Sequence, residues 1–134
     1  WPVEVGAYGE GPLPLIHDAL GNNVDIYGSR LVIEHLDAVT SPDAVPTDPL
    51  CRDQPVGWRT GFTIQHEANN VTIRYSRASG HTAGVHVTRG ASHNRIVNNE
   101  LVDNVIMSIN TDDGGFDDSG AWGVVLNGAD NVVA

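Results

Sequence analysis

The stretch Gly84-Val85-His86-Val87-Thr88, followed by His93-Asn94-Arg95-Ile96-Val97, decides the fold, because both segments recur along the chain. Copies of the first segment start their apolar positions at 24, 62, 85 and 124, which gives spacings of 38, 23 and 39 residues. The apolar anchors of the second segment fall at 33, 73, 96 and 133, with spacings of 40, 23 and 37. The two series keep step, which indicates a structural repeat.

The repeat unit is a pair of short apolar strands joined by small and polar turn residues. No stretch of the chain places apolar side chains at the i, i+3, i+4 and i+7 positions of an amphipathic helix without a Gly, Pro or Asn pair breaking it. A helix-free repeat of about 23 residues is typical of a β-solenoid, in which each turn stacks on the next. We therefore expect a single all-β domain over residues 1–134.

The two longer spacings place extra residues at the same point of the repeat. These insertions are residues 39–60 and 105–122, whereas the middle turn crosses the same corner with residues 80–83 alone. Residues 105–109 could themselves form a strand. We expect the two insertions to rise from one edge of the solenoid and to enclose a groove.

The composition restricts the partners. The 134 residues carry 17 acidic and 7 basic side chains, for a net charge of −10, and every basic residue is Arg. Such a surface repels phosphate backbones and anionic headgroups, so nucleic acid and membranes are disfavoured as partners. No run of about 18 apolar residues is present, and the single Cys51 cannot form an intramolecular disulfide.

The repeat resembles the right-handed parallel β-helix superfamily, the pectate-lyase-like proteins. The resemblance rests on residues 69–74, 84–87 and 94–101, and on an opening segment, residues 2–16, similar to the entry of such proteins. It implies a right-handed β-helix of about four turns that is secreted or at the cell surface. It further implies a protein that binds or cleaves a polysaccharide as a lyase or glycoside hydrolase. The alternative is a non-catalytic structural, adhesion or assembly module.

The sequence stops inside a strand, at Val132-Val133-Ala134. A solenoid that ends there leaves apolar core and backbone groups uncovered. We expect neighbouring turns or end-to-end association of copies to cover them.

An acidic, glycine-rich segment carries four candidate functional residues, Asp112, Asp113, Asp117 and Asp118. Carboxylates on a bendable loop supply the oxygen ligands that Ca²⁺ prefers. The same groups could serve as acid and base in glycoside cleavage. A solvated acidic loop is the third reading.

Three further candidate catalytic residues are His81, His86 and Arg89, which lie on the short turn between the insertions. Alternation turns Val85 and Val87 inward and His86 outward, in register with residues 63 and 125. An outward His and Arg could act as base and carboxylate clamp in a β-elimination. Residues of these types are also common on ordinary surfaces.

Trp58 and Trp122 end the two insertions in corresponding positions, and Arg59 and His66 lie close to the first of them in sequence. An exposed Trp face is a common platform for sugar rings, so we expect these four residues to bind substrate. The tryptophans could instead pin the insertions onto the solenoid.

Asparagines recur beside the strands, where their amides are expected to satisfy backbone groups at the solenoid corners. These residues are Asn22, Asn23, Asn69, Asn70, Asn94, Asn98, Asn99 and Asn131.

Overall fold

The computed structural model describes residues 1–18, 21–40, 58–105, 107–108, 119–120 and 122–134. These residues form strands and turns, with no helix among them. The strands are β1 (Val3–Gly6), β2 (Leu15–Asp18), β3 (Val24–Ile26), β4 (Leu31–Glu34), β5 (Asp37–Thr40), β6 (Thr60–Ile64), β7 (Thr72–Arg74), β8 (Arg77–Ser79), β9 (Ala83–Val87), β10 (Arg95–Val97), β11 (Glu100–Val102), β12 (Met107–Ser108), β13 (Ser119–Gly120), β14 (Trp122–Leu126) and β15 (Val132–Val133).

The strands form three parallel sheets and one small antiparallel pair. Sheet A has the order β1-β4-β7-β10-β15, sheet B has β2-β5-β8-β11, and sheet C has β3-β6-β9-β14. From β3 to β11 the chain visits sheets C, A and B in turn, three times over. This all-β arrangement of parallel sheets is compatible with a β-helix or solenoid. In the described part of the chain, no helix is long and apolar enough to span a membrane.

The strand registers match the spacings read from the sequence. In sheet C, Val24 pairs with Phe62, Phe62 with Val85, and Val85 with Val124. In sheet A the same succession of Cα partners is Ile33, Ile73, Ile96 and Val133. Each sheet is therefore built from equivalent positions of the repeat.

The interior is a column of apolar side chains contributed by all three sheets. Its fully buried members include Phe62 and Ile64 from sheet C, Ile73 from sheet A and Ala78 from sheet B. Burying one large aliphatic or aromatic side chain stabilises a fold by roughly 1.5–3 kcal/mol. The column is thus the main stabilising element and leaves the outer faces of the sheets free for other roles.

The corners between sheets repeat as faithfully as the strands. Non-glycine residues with positive φ recur at equivalent corners, and they are Arg30, Asn70, His93 and Asp130 before sheet A, and His35, Tyr75 and Asn98 after it. Such a left-handed conformation is unfavourable for most side chains, so neighbouring contacts must hold it in place. Asn tolerates it best, which explains two of the asparagines in the pattern.

Other asparagines bind backbone groups of neighbouring turns, as the sequence predicts. The Val71 N–H donates to Asn94 Oδ1 at 2.8 Å, and the Asn94 N–H donates to Asn131 Oδ1 at 3.0 Å. One corner further on, the Ser76 N–H donates to Asn99 Oδ1 at 3.0 Å. These bonds link successive turns in addition to the sheet ladders.

The insertions lie largely outside the described residues, which leave out 41–57, 106, 109–118 and 121. The described part of the second insertion includes β12 and β13, an antiparallel pair in which Met107 lies opposite Gly120. β12 falls within the segment in which the sequence allows a strand. The predicted groove between the insertions remains a prediction.

The first and last strands of sheet A, β1 and β15, each pair on one side only. Val3, Val5, Val132 and Val133 on these strands are exposed. The expected covering by neighbouring turns or by a second copy stays a prediction.

Candidate functional site on the outer face of sheet C

The outer face of sheet C carries His86, as the alternation in β9 predicts. Val85 and Val87 are fully buried, whereas His86 is half-buried between them. The Cα partners of His86 are Thr63 on β6 and Val125 on β14. The predicted direction and register of His86 are therefore both observed.

Three aromatic rings meet around Trp58, and we call Trp58, His86 and Trp122 the aromatic cluster. The rings of Trp58 and His86 make an edge contact, with centroids 5.3 Å apart and planes at 62°. The rings of Trp58 and Trp122 lie 5.4 Å apart at 45°. The C-terminal ends of the two insertions therefore meet on this face, and Trp122 keeps 36% of its surface exposed.

His86 is held in one orientation by Asn127, which follows β14. The Asn127 amide Nδ2 lies 3.0 Å from His86 Nε2. Because an amide nitrogen only donates, Nε2 is the acceptor, and the neutral ring carries its hydrogen on Nδ1. Burial lowers the pKa of His86, which favours this neutral form.

A row of polar side chains continues the face toward β3, and the sequence analysis missed it. Asp25 Oδ1 accepts from Gln65 Nε2 at 2.7 Å and from Asn22 Nδ2 at 3.0 Å. The Thr60 hydroxyl donates to Asn22 Oδ1 at 2.9 Å and also contacts the hydroxyl of Thr63. We call Asn22, Asp25, Thr60, Thr63 and Gln65 the polar row.

Thr63 joins the polar row to the aromatic cluster. It is the Cα partner of Asp25 on one side and of His86 on the other. A signal for the row was present in the sequence, because Asp25 holds the same place in the first copy of the repeat as His86 holds in the third.

The structure places His81 in the interior rather than beside the aromatic cluster. His81 is fully buried, and its Nε2 lies 2.7 Å from Asn23 Oδ1. Burial, followed by the positive charge of Arg59, lowers the pKa of His81 to about 4. A neutral imidazole held inside the solenoid supports the fold and does not face a ligand.

The remaining basic candidates occupy one buried position and two exposed turns. Arg59 is only 9% exposed, and its charge acts on buried His81. His66 and Arg89 are exposed in equivalent turns after β6 and β9, outside the strands of sheet C. Of the predicted site residues, the structure thus brings together Trp58, His86 and Trp122.

The four aspartates of the acidic segment, Asp112, Asp113, Asp117 and Asp118, lie outside the described residues. Within the described ranges, no group of three or more His, Cys, Asp or Glu side chains is placed to hold a metal ion. The calcium site therefore stays a prediction that concerns the acidic segment alone.

Comparison with protein-family models, with curated proteins and with solved structures returns no match for this chain. The chemistry of sheet C is thus the guide to function. Its outer face combines flat aromatic surface with fixed hydrogen-bonding groups, an arrangement suited to a ligand that has both apolar faces and hydroxyl groups.

Proposed function

We propose that this chain is a right-handed parallel β-helix of about four turns that binds a polysaccharide along the outer face of sheet C. The observation that carries the proposal is the aromatic cluster next to the polar row. In this proposal the protein is related to the pectate-lyase-like proteins and acts outside the cell, where polysaccharides are found.

Sugar rings present C–H groups on their faces and hydroxyls on their edges. Trp58 and Trp122 supply aromatic surface for the faces, and Trp122 is accessible from solvent. Asp25, Asn22 and Gln65 of the polar row supply carboxylate and amide groups for the edges, while the buried Thr60 and Thr63 hydroxyls support them from below. Both sets lie along one direction, across four strands that are about 4.8 Å apart. An extended chain of sugar units fits this strip better than a compact small molecule does.

The described groups favour binding over cleavage. A general base needs an available lone pair, and the Nε2 lone pair of His86 already accepts from Asn127. Arg89, the proposed carboxylate clamp, lies in a turn beyond the strand. Cleavage by lyase or hydrolase chemistry would thus depend on Asp112, Asp113, Asp117 and Asp118, with or without Ca²⁺. Binding without cleavage is also what an adhesion module requires.

The test is isothermal titration calorimetry with a panel of neutral and acidic oligosaccharides of matched length. We expect at least one glycan to bind, and Trp122→Ala and Trp58→Ala each to weaken it by about tenfold or more. Trp1→Phe is the matched control, because Trp1 is fully exposed and distant in sequence from the cluster. Circular dichroism checks that each variant stays folded.

Two results would overturn the proposal. One is the absence of binding across the whole panel, and the other is unchanged affinity in folded Trp58→Ala and Trp122→Ala variants. Incubation of the bound glycan with the protein, followed by ultraviolet absorbance and reducing-end assays, separates cleavage from binding.

A further inference from the structure

Charge is distributed unevenly between the three sheets. The strands of sheet C contain two ionisable residues in the described chain, Asp25 and His86, and no arginine. In contrast, Arg74 and Arg95 lie on sheet A and Arg77 lies on sheet B. The face that carries the aromatic cluster is therefore the one whose strands offer no permanent cation to a ligand.

Two of these three arginines, Arg74 and Arg77, are paired with carboxylates. Arg74 Nε lies 2.6 Å from Glu34 Oε2, and Arg77 contacts both Asp37 and Glu100 at 3.4 and 3.6 Å. Each of these ion pairs joins two neighbouring strands of sheet A or sheet B, so they stabilise the packing of successive turns. The charges of Arg74 and Arg77 are therefore offset by carboxylates on the same sheets.

Neither of the two ionisable groups on sheet C supplies a positive charge that would attract an anionic ligand. Asp25 receives both amide hydrogens of its network at Oδ1, which leaves Oδ2 able to accept hydroxyl hydrogens from a ligand. His86 is neutral while it accepts from Asn127, so it adds no positive charge to the face. A carboxylate on the ligand would meet the negative charge of Asp25 with no opposing cation on these strands.

We propose, as a consequence of the glycan-binding function above, that sheet C selects uncharged sugar chains and discriminates against uronate-containing ones. Asp25 is the specificity-determining residue, and it recognises hydroxyl groups and repels carboxylates. Trp58 and Trp122 of the aromatic cluster bind the faces of either kind of sugar and do not discriminate between neutral and uronate chains. A preference for neutral sugars is the opposite of what a β-elimination by His86 and Arg89 would need, because that reaction requires a uronate substrate.

The experiment compares a neutral oligosaccharide with a uronate oligosaccharide of equal length and linkage geometry, such as cello- or xylo-oligosaccharides against oligoglucuronate. At low ionic strength we expect the neutral chain to bind at least about tenfold more tightly, because unscreened like charges a few ångströms apart repel at this level. Raising ionic strength from 0.01 to 0.15 M shortens the Debye length from about 30 to about 8 Å. It should strengthen uronate binding and leave neutral binding unchanged.

The variant Asp25→Asn keeps an oxygen that accepts hydrogen bonds but removes the charge. We expect it to reduce the preference for the neutral chain to less than about threefold. Glu100→Gln is the matched control. Glu100 is an exposed residue of sheet B, so removal of its charge should leave the preference unchanged. Arg89→Gln should leave uronate affinity unchanged, whereas a carboxylate clamp would lose it.

The outcomes separate this inference from the proposed function. Equal or tighter binding of uronate to the wild-type protein, or an unchanged preference in Asp25→Asn, overturns the selection while glycan binding stands. Absence of binding to both sugars overturns the proposed function and the inference together.

Discussion

His81 donates a hydrogen bond to Asn23 across the interior of the solenoid, with 2.7 Å between Nε2 and Oδ1. Asn23 Nδ2 donates to the carbonyls of Ile16 and Val39, at 2.6 and 3.1 Å, so its Oδ1 is an acceptor and the imidazole Nε2 carries hydrogen. Asn23, which immediately precedes β3 of sheet C, thus links two strands of sheet B, β2 and β5. Both the neutral and the protonated ring can donate this bond, so burial and the charge of Arg59, rather than the bond, favour the neutral form of His81.

This histidine makes the stability of the fold depend on pH. The pKa of His81 in the fold is about 4, whereas an unfolded histidine titrates near 6.5. The unfolded chain therefore binds the proton more readily. The contribution of His81 is complete above pH 6.5 and is lost as pH falls from about 6.5 to about 4. It amounts to about 3 kcal/mol at most.

Urea unfolding at pH 7.5, 6 and 4.5 measures this effect. We expect the free energy of unfolding to fall less steeply with acid in His81→Gln than in the wild-type protein. His93→Gln is the control, because His93 is exposed and should follow the wild-type curve. Superimposable pH profiles for His81→Gln and wild type would show that the buried imidazole does not govern acid sensitivity.

Gly61 and Gly123 occupy the same column of sheet C but differ in the space around them. A Cβ on Gly61 would lie 2.6 Å from Ala78 Cβ and 2.7 Å from the Gly84 carbonyl oxygen. A Cβ on Gly123 would come no closer than 4.0 Å to a described residue, Leu101. Gly61→Ala should therefore destabilise the protein by about 1–3 kcal/mol.

Gly123→Ala is the matched control and should change stability by no more than about 0.5 kcal/mol, because alanine suits a strand better than glycine does. Both values come from urea unfolding at neutral pH. Equal destabilisation by the two substitutions would mean that the close packing between sheets B and C at Gly61 is not the cause.

The repeat could be predicted from the sequence because strand alternation and corner chemistry are both local. Apolar residues at every second position turned Val85 and Val87 inward, and the register of His86 with Thr63 and Val125 followed from the spacing of 23 and 39. The contact of Trp58 with Trp122 did not follow from the repeat, because Trp58 precedes β6 whereas Trp122 is the first residue of β14 and shares its register with Thr60.

The network of Asp25 and the burial of His81 could not be predicted, because both depend on contacts between distant turns. Asp25 has its network only through Gln65, which is 40 residues away, and the first repeat lacks the glycine that marks the others. His81 stands in a short polar crossing that reads as exposed. It is buried because the side chain reaches Asn23, 58 residues earlier in the chain.

Asn94 takes part in the asparagine hydrogen bonds that link successive turns, and its side chain is fully buried. Its Oδ1 accepts from the Val71 N–H at 2.8 Å, and its Nδ2 donates to the Ala68 carbonyl at 3.3 Å. Asn94→Ala leaves both backbone groups without these partners, and each buried unpaired group costs about 1–3 kcal/mol.

Asn131→Ala removes the equivalent side chain from the last turn, where Asn131 is only half-buried. We expect it to lower the free energy of unfolding by less than half as much as Asn94→Ala, because water can replace the lost bonds. Urea unfolding checks both variants. A larger loss in Asn131→Ala would contradict the view that burial sets the value of each amide.

Asn127 donates to His86 Nε2, a hydrogen bond that requires this nitrogen to be unprotonated. Asn127→Asp places a carboxylate where the amide Nδ2 now lies, 3.0 Å from His86 Nε2. A carboxylate at that distance favours the protonated imidazole, so the pKa of His86, which burial lowers in the native protein, should rise. NMR titration of the imidazole resonances measures the change. Asp130→Asn, which alters the carboxylate near His93 instead, should leave the titration of His86 in place. If His86 titrates identically in Asn127→Asp and wild type, the hydrogen bond does not control its charge, and Asn127 has no part in keeping the cluster neutral.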